Sequence, residues 1–468
     1  MDEVAFLPAL EQARLLRAGE VAAVELAEAY LERIERIDPQ LNAYVTVAPE
    51  RALADARAAD EGLRAGGDGK PPFLGVPLAI KDLTTTAGVR TTFSCRAYAA
   101  NVPAADNAVT RRLREAGFSL LGKINTPELG TIPVTESPLN GACRNPWDPT
   151  RTPGGSSGGA GAAVAAGLCA IAEGSDGGGS IRIPASCCGV FGLKPSRGRV
   201  SNAPYATADG FGTSGPMSRT VRDAAALLDV LEGYEPGDPW WAPPPERPFL
   251  EAVEEPPGRL RIGWSAEPPV DVPVHPDCRA ALDDARALLE GLGHELVEVE
   301  PRWHDEELMR LFTVVWQVAP GLYPLEDRSV LSPLNRWLLE AGLTTSAVEY
   351  AGALFRLRTV ARAVVALWAS VDVLLTPALA QPPVPVGWHG EPEDPAEQWW
   401  RGVEFTPFTP IVNVTGQPAA SVPLWWNGDG LPVGVQLVGP PAGDALLLRL
   451  CAQVEEARPW AGRRPPVG

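Results

Sequence analysis

The stretch 74–222 constrains the fold more than any other part of the chain. LGVPLAIKDL (74–83) is almost wholly apolar up to its lysine and aspartate. In a chain with no membrane-length run, such a segment reads as a strand buried on both faces. NAVTRRLREAG (107–117) follows with apolar residues at helical spacing and Asp106 or Asn107 as its cap, and FSLLGKI (118–124) is again strand-like. A long loop through 153 leads to GGAGAAVAAG (158–167), a helix of very small residues, and then to the apolar LCAIAEG (168–174). Alternation of this kind predicts an α/β fold: a mixed, mostly parallel central sheet covered by helices on both faces, with a helical insertion.

The flanks fit the same plan. Residues 5–65 carry helical periodicity, with stops at Gly19 and Gly66 and a break at Asp38-Pro39. The proline-rich 235–258 reads as a surface connection, and RLRIGW and HELVEVE bracket a helix at 277–292 as one more βαβ-like unit. Positions 305–371 read as helical throughout. VDVLLTPAL, AASVPL and VGVQLVG are further buried strands, and 443–457 is an amphipathic helix. The expected organisation is one domain over 1–468, with N-terminal helices at 1–65, a core at 70–225 and a helical insertion forming a pocket wall at 303–371.

A net charge of −18 argues against nucleic acid or anionic membrane as a partner, since both repel an acidic surface. MDEVAFLPALEQARLL has acids where a signal peptide needs bases, so the chain reads as cytoplasmic. A small-molecule partner and a monomer or homodimer are expected. Seven cysteines without CxxC spacing suit buried thiols, and four scattered histidines show no metal spacing. No metal or organic cofactor is expected. Only Lys70, Lys81, Lys123 and Lys194 represent lysine in a chain that otherwise uses arginine. Arginine keeps its proton in proteins whereas a desolvated lysine can lose it, so each lysine is a candidate for proton transfer.

Several glycine motifs compete. Gly117 to Lys123 imitates a phosphate-binding loop, but Ile124 stands where a hydroxyl should bind magnesium and the intervening residues are strand-like. Gly155-Ser156-Ser157-Gly158-Gly159 satisfies GxSxG, yet a proline-rich loop precedes it instead of a strand, and only His389 lies late enough to serve a histidine triad. No GxGxxG joins a strand to a helix. The remaining motif is EGSDGGGSIRIPAS (173–186). Alone it is equally an ordinary glycine turn. Beside a buried Lys81 able to act as a base, Ser180 becomes a candidate nucleophile and Gly177, Gly178 and Gly179 candidate donors to an oxyanion.

GVPLAIKDL (75–83), RNPWDPTRTPGGSSGGAGAAVAAG (144–167), EGSDGGGSIRIPASCCGVFGLKPSRGRVS (173–201) and GPMSRTVRDAA (215–225) together resemble the amidase signature family of Ser-cisSer-Lys hydrolases. The resemblance covers nearly the full chain and is least detailed over 235–400. It implies that Ser180 is the acyl-enzyme nucleophile, Ser156 a bridging serine after a cis peptide bond from Gly155, and Lys81 the base acting through Ser156. Oxyanion N–H groups would come from Gly177, Gly178, Gly179 and Ser180, while Ser157, Asp176 and Arg182 would be structural supports.

Ile183 stands three residues after Ser180, where the amidotransferase A subunit resembles GSIRQPA, so that glutaminase reading becomes the alternative. SDGGGSIRIPAS is similar to hydrolases of cyclic nylon oligomers, and Gly177 in place of a larger residue implies room beside the scissile carbonyl. Thirteen of the fourteen tryptophans follow residue 235. The expected substrate is a linear amide with apolar or aryl groups, or a carbamate, held by Thr131, Ile132, Pro133, Val134, Ile183, Trp316, Phe405 and Ile411.

Overall fold

The computed structural model describes residues 2–66, 69–205, 209–305 and 307–468. The strands in chain order are β1 (Tyr44–Val47), β2 (Pro77–Lys81), β3 (Ser119–Ile124), β4 (Glu136–Ser137), β5 (Gly141–Ala142), β6 (Ile171–Asp176), β7 (Phe191–Lys194), β8 (Thr213–Ser218), β9 (Arg261–Trp264), β10 (Glu295–Glu298), β11 (Val373–Pro377), β12 (Ala419–Trp426) and β13 (Pro432–Val438). Among the described residues eleven of them form one sheet in the order β1-β3-β2-β6-β8-β7-β12-β13-β11-β9-β10, and β4 and β5 pair separately.

Every residue of β2, β3, β7, β8, β11 and β13 is buried, which requires cover on both faces of the mixed sheet. Parallel pairing occurs in two blocks, β3-β2-β6 and β11-β9-β10. Between them the strands run antiparallel, a larger antiparallel share than βα alternation alone implies. One cause is the short connection from β12 to β13, where the Asn427 side chain accepts the N–H groups of Asp429 and Leu431. A connection this short leaves only a hairpin.

The small-residue helix Gly158–Ala165 is buried along its whole length. A Cβ at Gly159 would stand 2.3 Å from the Asn125 backbone nitrogen, so the helix seats against the sheet only because that position has no side chain. All seven cysteines are free and buried.

Three expectations change. The helix expected to break at Asp38-Pro39 runs unbroken over Ala23–Leu41. Pro39 lies in its last turn, so only the one bond its N–H would give to the Glu35 carbonyl is lost and the helix continues to Leu41, where Asn42 ends it with φ 53°. The Asp38 carboxylate then accepts the N–H groups of Ala43 and Tyr44 and turns the chain into β1, an edge strand absent from the helical reading of 5–65. The segment 305–371 is not helical throughout. Among its described residues the α-helices are Leu308–Trp316, Pro333–Thr344 and Ala347–Val365; between the first two, Pro320 falls in a short 3-10 helix and Pro324 in a loop.

Candidate active site

Lys81 ends β2, with its ammonium nitrogen directed at two hydroxyls. Nζ lies 2.7 Å from Ser156 Oγ and 3.0 Å from Ser175 Oγ. Lys81 is fully buried, and burial pulls its ammonium down to about 7 against the opposing charges of Glu173 and Asp176. Ser156 follows a cis peptide bond from Gly155. A Cβ on Gly155 would come within 2.8 Å of the Val134 backbone, so that approach also requires glycine. The next residue ties the two loops together: Ser157 N–H donates to the Ser180 carbonyl at 3.1 Å, and its hydroxyl donates to the Ser175 carbonyl at 3.1 Å. No hydrogen bond joins the Ser156 and Ser180 hydroxyls directly among the described residues.

Ser180 sits between β6 and the short helix Arg182–Cys188. Asp176 organises this turn. Its carboxylate accepts the N–H groups of Gly179 (2.8 Å) and Ile181 (3.1 Å) and two bonds from the Arg182 guanidinium (3.0 and 2.9 Å). Burial alone would raise Asp176, but the adjacent Arg182 charge and hydrogen bonds hold it well below the usual carboxylate range. Arg182 also reaches Gln436 and Asn413, so this turn is anchored to β13 and to the helix Pro410–Thr415.

Gly179 has φ 125°, and a Cβ there would lie 2.2 Å from Thr409 Oγ1. Its N–H is committed to Asp176, so of the four groups expected to face an oxyanion this one is already used. The N–H groups of Gly177, Gly178 and Ser180 make no hydrogen bond within the described residues.

Ser180 opens onto a cleft that is partly open to solvent. Thr131, Ile132, Pro133, Ile183 and Trp316 line it. Val134, Phe405 and Ile411 do not. Val134 backs Gly155, and Phe405 and Ile411 are packed into the core, one residue before the wall position Thr406 and one after Pro410. The room expected from Gly177 is occupied: a Cβ there would meet the Trp316 indole at 3.1 Å.

Sequence reasoning missed Met309, Phe312, Trp399 and Val403, which also face the cleft. Met309, Phe312 and Trp316 stand three and four residues apart on one helix, and Trp399 and Val403 stand four apart on another, so helical period was the available signal. Ser175 and Glu173 were likewise missed. Two polar residues at period two in a buried strand were the clue. His389 lines a neighbouring cavity with Glu128 and Glu136, away from Ser180, and burial lowers it to about 4.

The Amidase family matches residues 25–448, and the chain belongs to that family. It is an enzyme that hydrolyses carbon–nitrogen bonds other than peptide bonds. It is 38% identical over 488 residues to the 6-aminohexanoate-cyclic-dimer hydrolase of Pseudomonas sp. (strain NK87), covering 98% of this chain and 96% of that one. A solved structure of 6-aminohexanoate cyclic dimer hydrolase superimposes with TM-score 0.93 at 35% identity, covering 99% of each chain. A bacterial aryl acylamidase of the amidase signature enzymes superimposes with TM-score 0.88 at 28% identity, covering 98% of this chain and 99% of that one. No helix among the described residues is long and apolar enough to cross a membrane.

Proposed function

We propose that the chain cleaves linear amides through an acyl-enzyme on Ser180, with Lys81 as base and Ser156 as the bridge between them. The observation that carries this reading is the buried 2.7 Å contact of Lys81 Nζ with Ser156 Oγ. Neutral Lys81 takes the Ser156 proton as Ser156 takes that of Ser180, and Ser180 Oγ bonds to the carbonyl carbon. The oxyanion is met by the N–H groups of Gly177, Gly178 and Ser180, whose unpaired state supports that role. The proton returns through Ser156 to the nitrogen as the C–N bond breaks, and the amine departs. Water then attacks the ester, giving its proton to the same relay and releasing the carboxylate and Ser180. Ser157, Asp176 and Arg182 hold the two loops without touching the reacting atoms.

The substrate class follows from the cleft wall. None of its lining side chains among the described residues is charged, and Ile132, Ile183, Met309, Phe312 and Trp316 make it apolar. This favours a small amide with apolar or aryl groups, and carbamates undergo the same attack. The names of the similar enzymes, an aryl acylamidase and a hydrolase of 6-aminohexanoate cyclic dimer, support an amide of this size. A glutaminase subunit of a tRNA-dependent amidotransferase is disfavoured, because glutamine brings an ammonium and a carboxylate that this wall leaves without ionic partners. We read the enzyme as cytoplasmic and active as a monomer or homodimer. The purified chain should release nitroaniline from an acyl-nitroanilide unaided; glutaminase activity confined to a complex would overturn the assignment.

A further inference from the structure

Several fully buried acids take no part in the relay, and one of them lies against its lysine. Glu173, on β6, has no exposed surface. Its Oε2 accepts the Lys81 backbone N–H at 3.1 Å, and both its oxygens lie 3.1 Å from the Thr84 hydroxyl. The Thr84 carbonyl in turn accepts from Nζ of Lys123, which also lies 2.8 Å from Thr86 Oγ1. Lys123 is fully buried as well, so a dry layer beside the relay holds two lysines and two carboxylates, Glu173 and Asp82.

The placement is selective. A carboxylate bonded to Lys81 Nζ would hold the ammonium proton and block its use as a base. Glu173 instead takes the main-chain N–H of the same residue, leaving Nζ to Ser156 and Ser175 while keeping a negative charge close by. Strand-end satisfaction alone does not require an acid, because a neutral amide oxygen accepts an N–H equally well.

Resting on the relay proposed above, we propose that Glu173 is a positioning residue for Lys81: it fixes the lysine's main chain and supplies the charge against which the lysine exchanges its proton. The charged groups acting on it are Lys81 from β2 and Lys123 from β3, while Asp82 acts on Lys123 and Asp176, bound to Arg182, acts on Lys81. Asp106 acts on Lys123 from the loop before the helix Ala108–Glu115. β8 sets Pro216 opposite Glu173, and the helix Gly158–Ala165 carries no titratable side chain. Burial raises Glu173 and lowers Lys123 to about 8, against the mutual attraction of the acid for both lysines.

Glu173→Gln keeps the shape and the acceptor but removes the charge. Losing a nearby anion destabilises the ammonium, so the acidic limb of the kcat/KM–pH profile should move down by about one pH unit. Glu173→Asp, which keeps the charge and shortens the reach, should restore the limb towards its original position while lowering kcat. Thr84→Val, which leaves Glu173 in place but removes its hydroxyl donor, should shift the limb the same way by less, and serves if Glu173→Gln does not fold. An unmoved limb in folded Glu173→Gln, or in Thr84→Val where the glutamine variant is insoluble, overturns the inference. Retention of the wild-type limb by Lys81→Ala would instead overturn the base assignment.

Discussion

The contact between Gly177 and Trp316 makes a quantitative prediction about substrate size. A Cβ on Gly177 would lie 3.1 Å from Trp316 Cη2 and 3.2 Å from Cζ3, well inside the ordinary ~3.5–4.0 Å carbon contact. The backbone itself allows a side chain, because φ at Gly177 lies outside the left-handed region. The obstacle is therefore the indole, held by its Nε1 donating to the Thr131 carbonyl at 3.1 Å and by stacking on Phe312 with ring centroids 5.3 Å apart. Gly177→Thr should cost about 1–3 kcal/mol by overpacking. Trp316→Ala removes the indole and should relieve most of that cost. The two substitutions should then couple by about 1–2 kcal/mol in unfolding free energy. The assay is a double-mutant cycle in urea unfolding, with turnover of linear and α-branched acyl-nitroanilides followed on the same variants. Trp316→Ala should raise the branched-to-linear ratio about tenfold, and adding Gly177→Thr should reverse it. Additivity of the two substitutions within about 0.5 kcal/mol would refute the steric account.

Three further outcomes follow from the site. Ser180→Ala should abolish anilide turnover in a progress-curve assay, and near-normal activity would remove Ser180 as nucleophile. Because Lys81 must lose its proton to act, kcat/KM should rise with pH through about 7 and then level, and Lys81→Arg should stay inactive across that range since arginine keeps its proton. Asp176→Asn leaves the buried Arg182 charge without its anion and should cost about 3–5 kcal/mol in urea unfolding, with loss of activity; unchanged stability would contradict the pairing described.

The α/β character was legible because strands buried on both faces leave continuous apolar runs, as in residues 74–80. The antiparallel centre was not, since strand direction depends on connection paths that local composition does not encode. Lys81 and Ser180 stood out as candidates by residue type, Ser156 only through the family resemblance, and the 2.7 Å approach of Lys81 Nζ to Ser156 Oγ is visible only in the fold. The cleft wall was only partly readable: Phe405 and Ile411 lie in the right segments but turn into the core, while Thr406 and Pro410 beside them face the cleft. A one-residue difference on a helix rotates a side chain by about 100°, and helix phase is set by packing partners distant in sequence. The proximity of Lys123 to Glu173 emerges only from the pairing of β2 with β3 and β6.

Lys81, Ser156 and Ser180 all come from one span of about a hundred residues, whereas much of the cleft wall comes from the helices Leu308–Trp316 and Pro395–Phe405. Few hydrogen bonds join the two parts near the cleft, among them Trp316 to the Thr131 carbonyl, Asn335 to Glu128 and Thr409 to the Gly178 carbonyl. The inheritance of the reaction and the inheritance of its selectivity are thereby separable. On the relay proposed above, a lineage can exchange wall residues away from the Gly177–Ser180 turn, such as Trp399 and Val403, without disturbing proton transfer, so the range of compounds accepted can drift while the bond-breaking step stays constant.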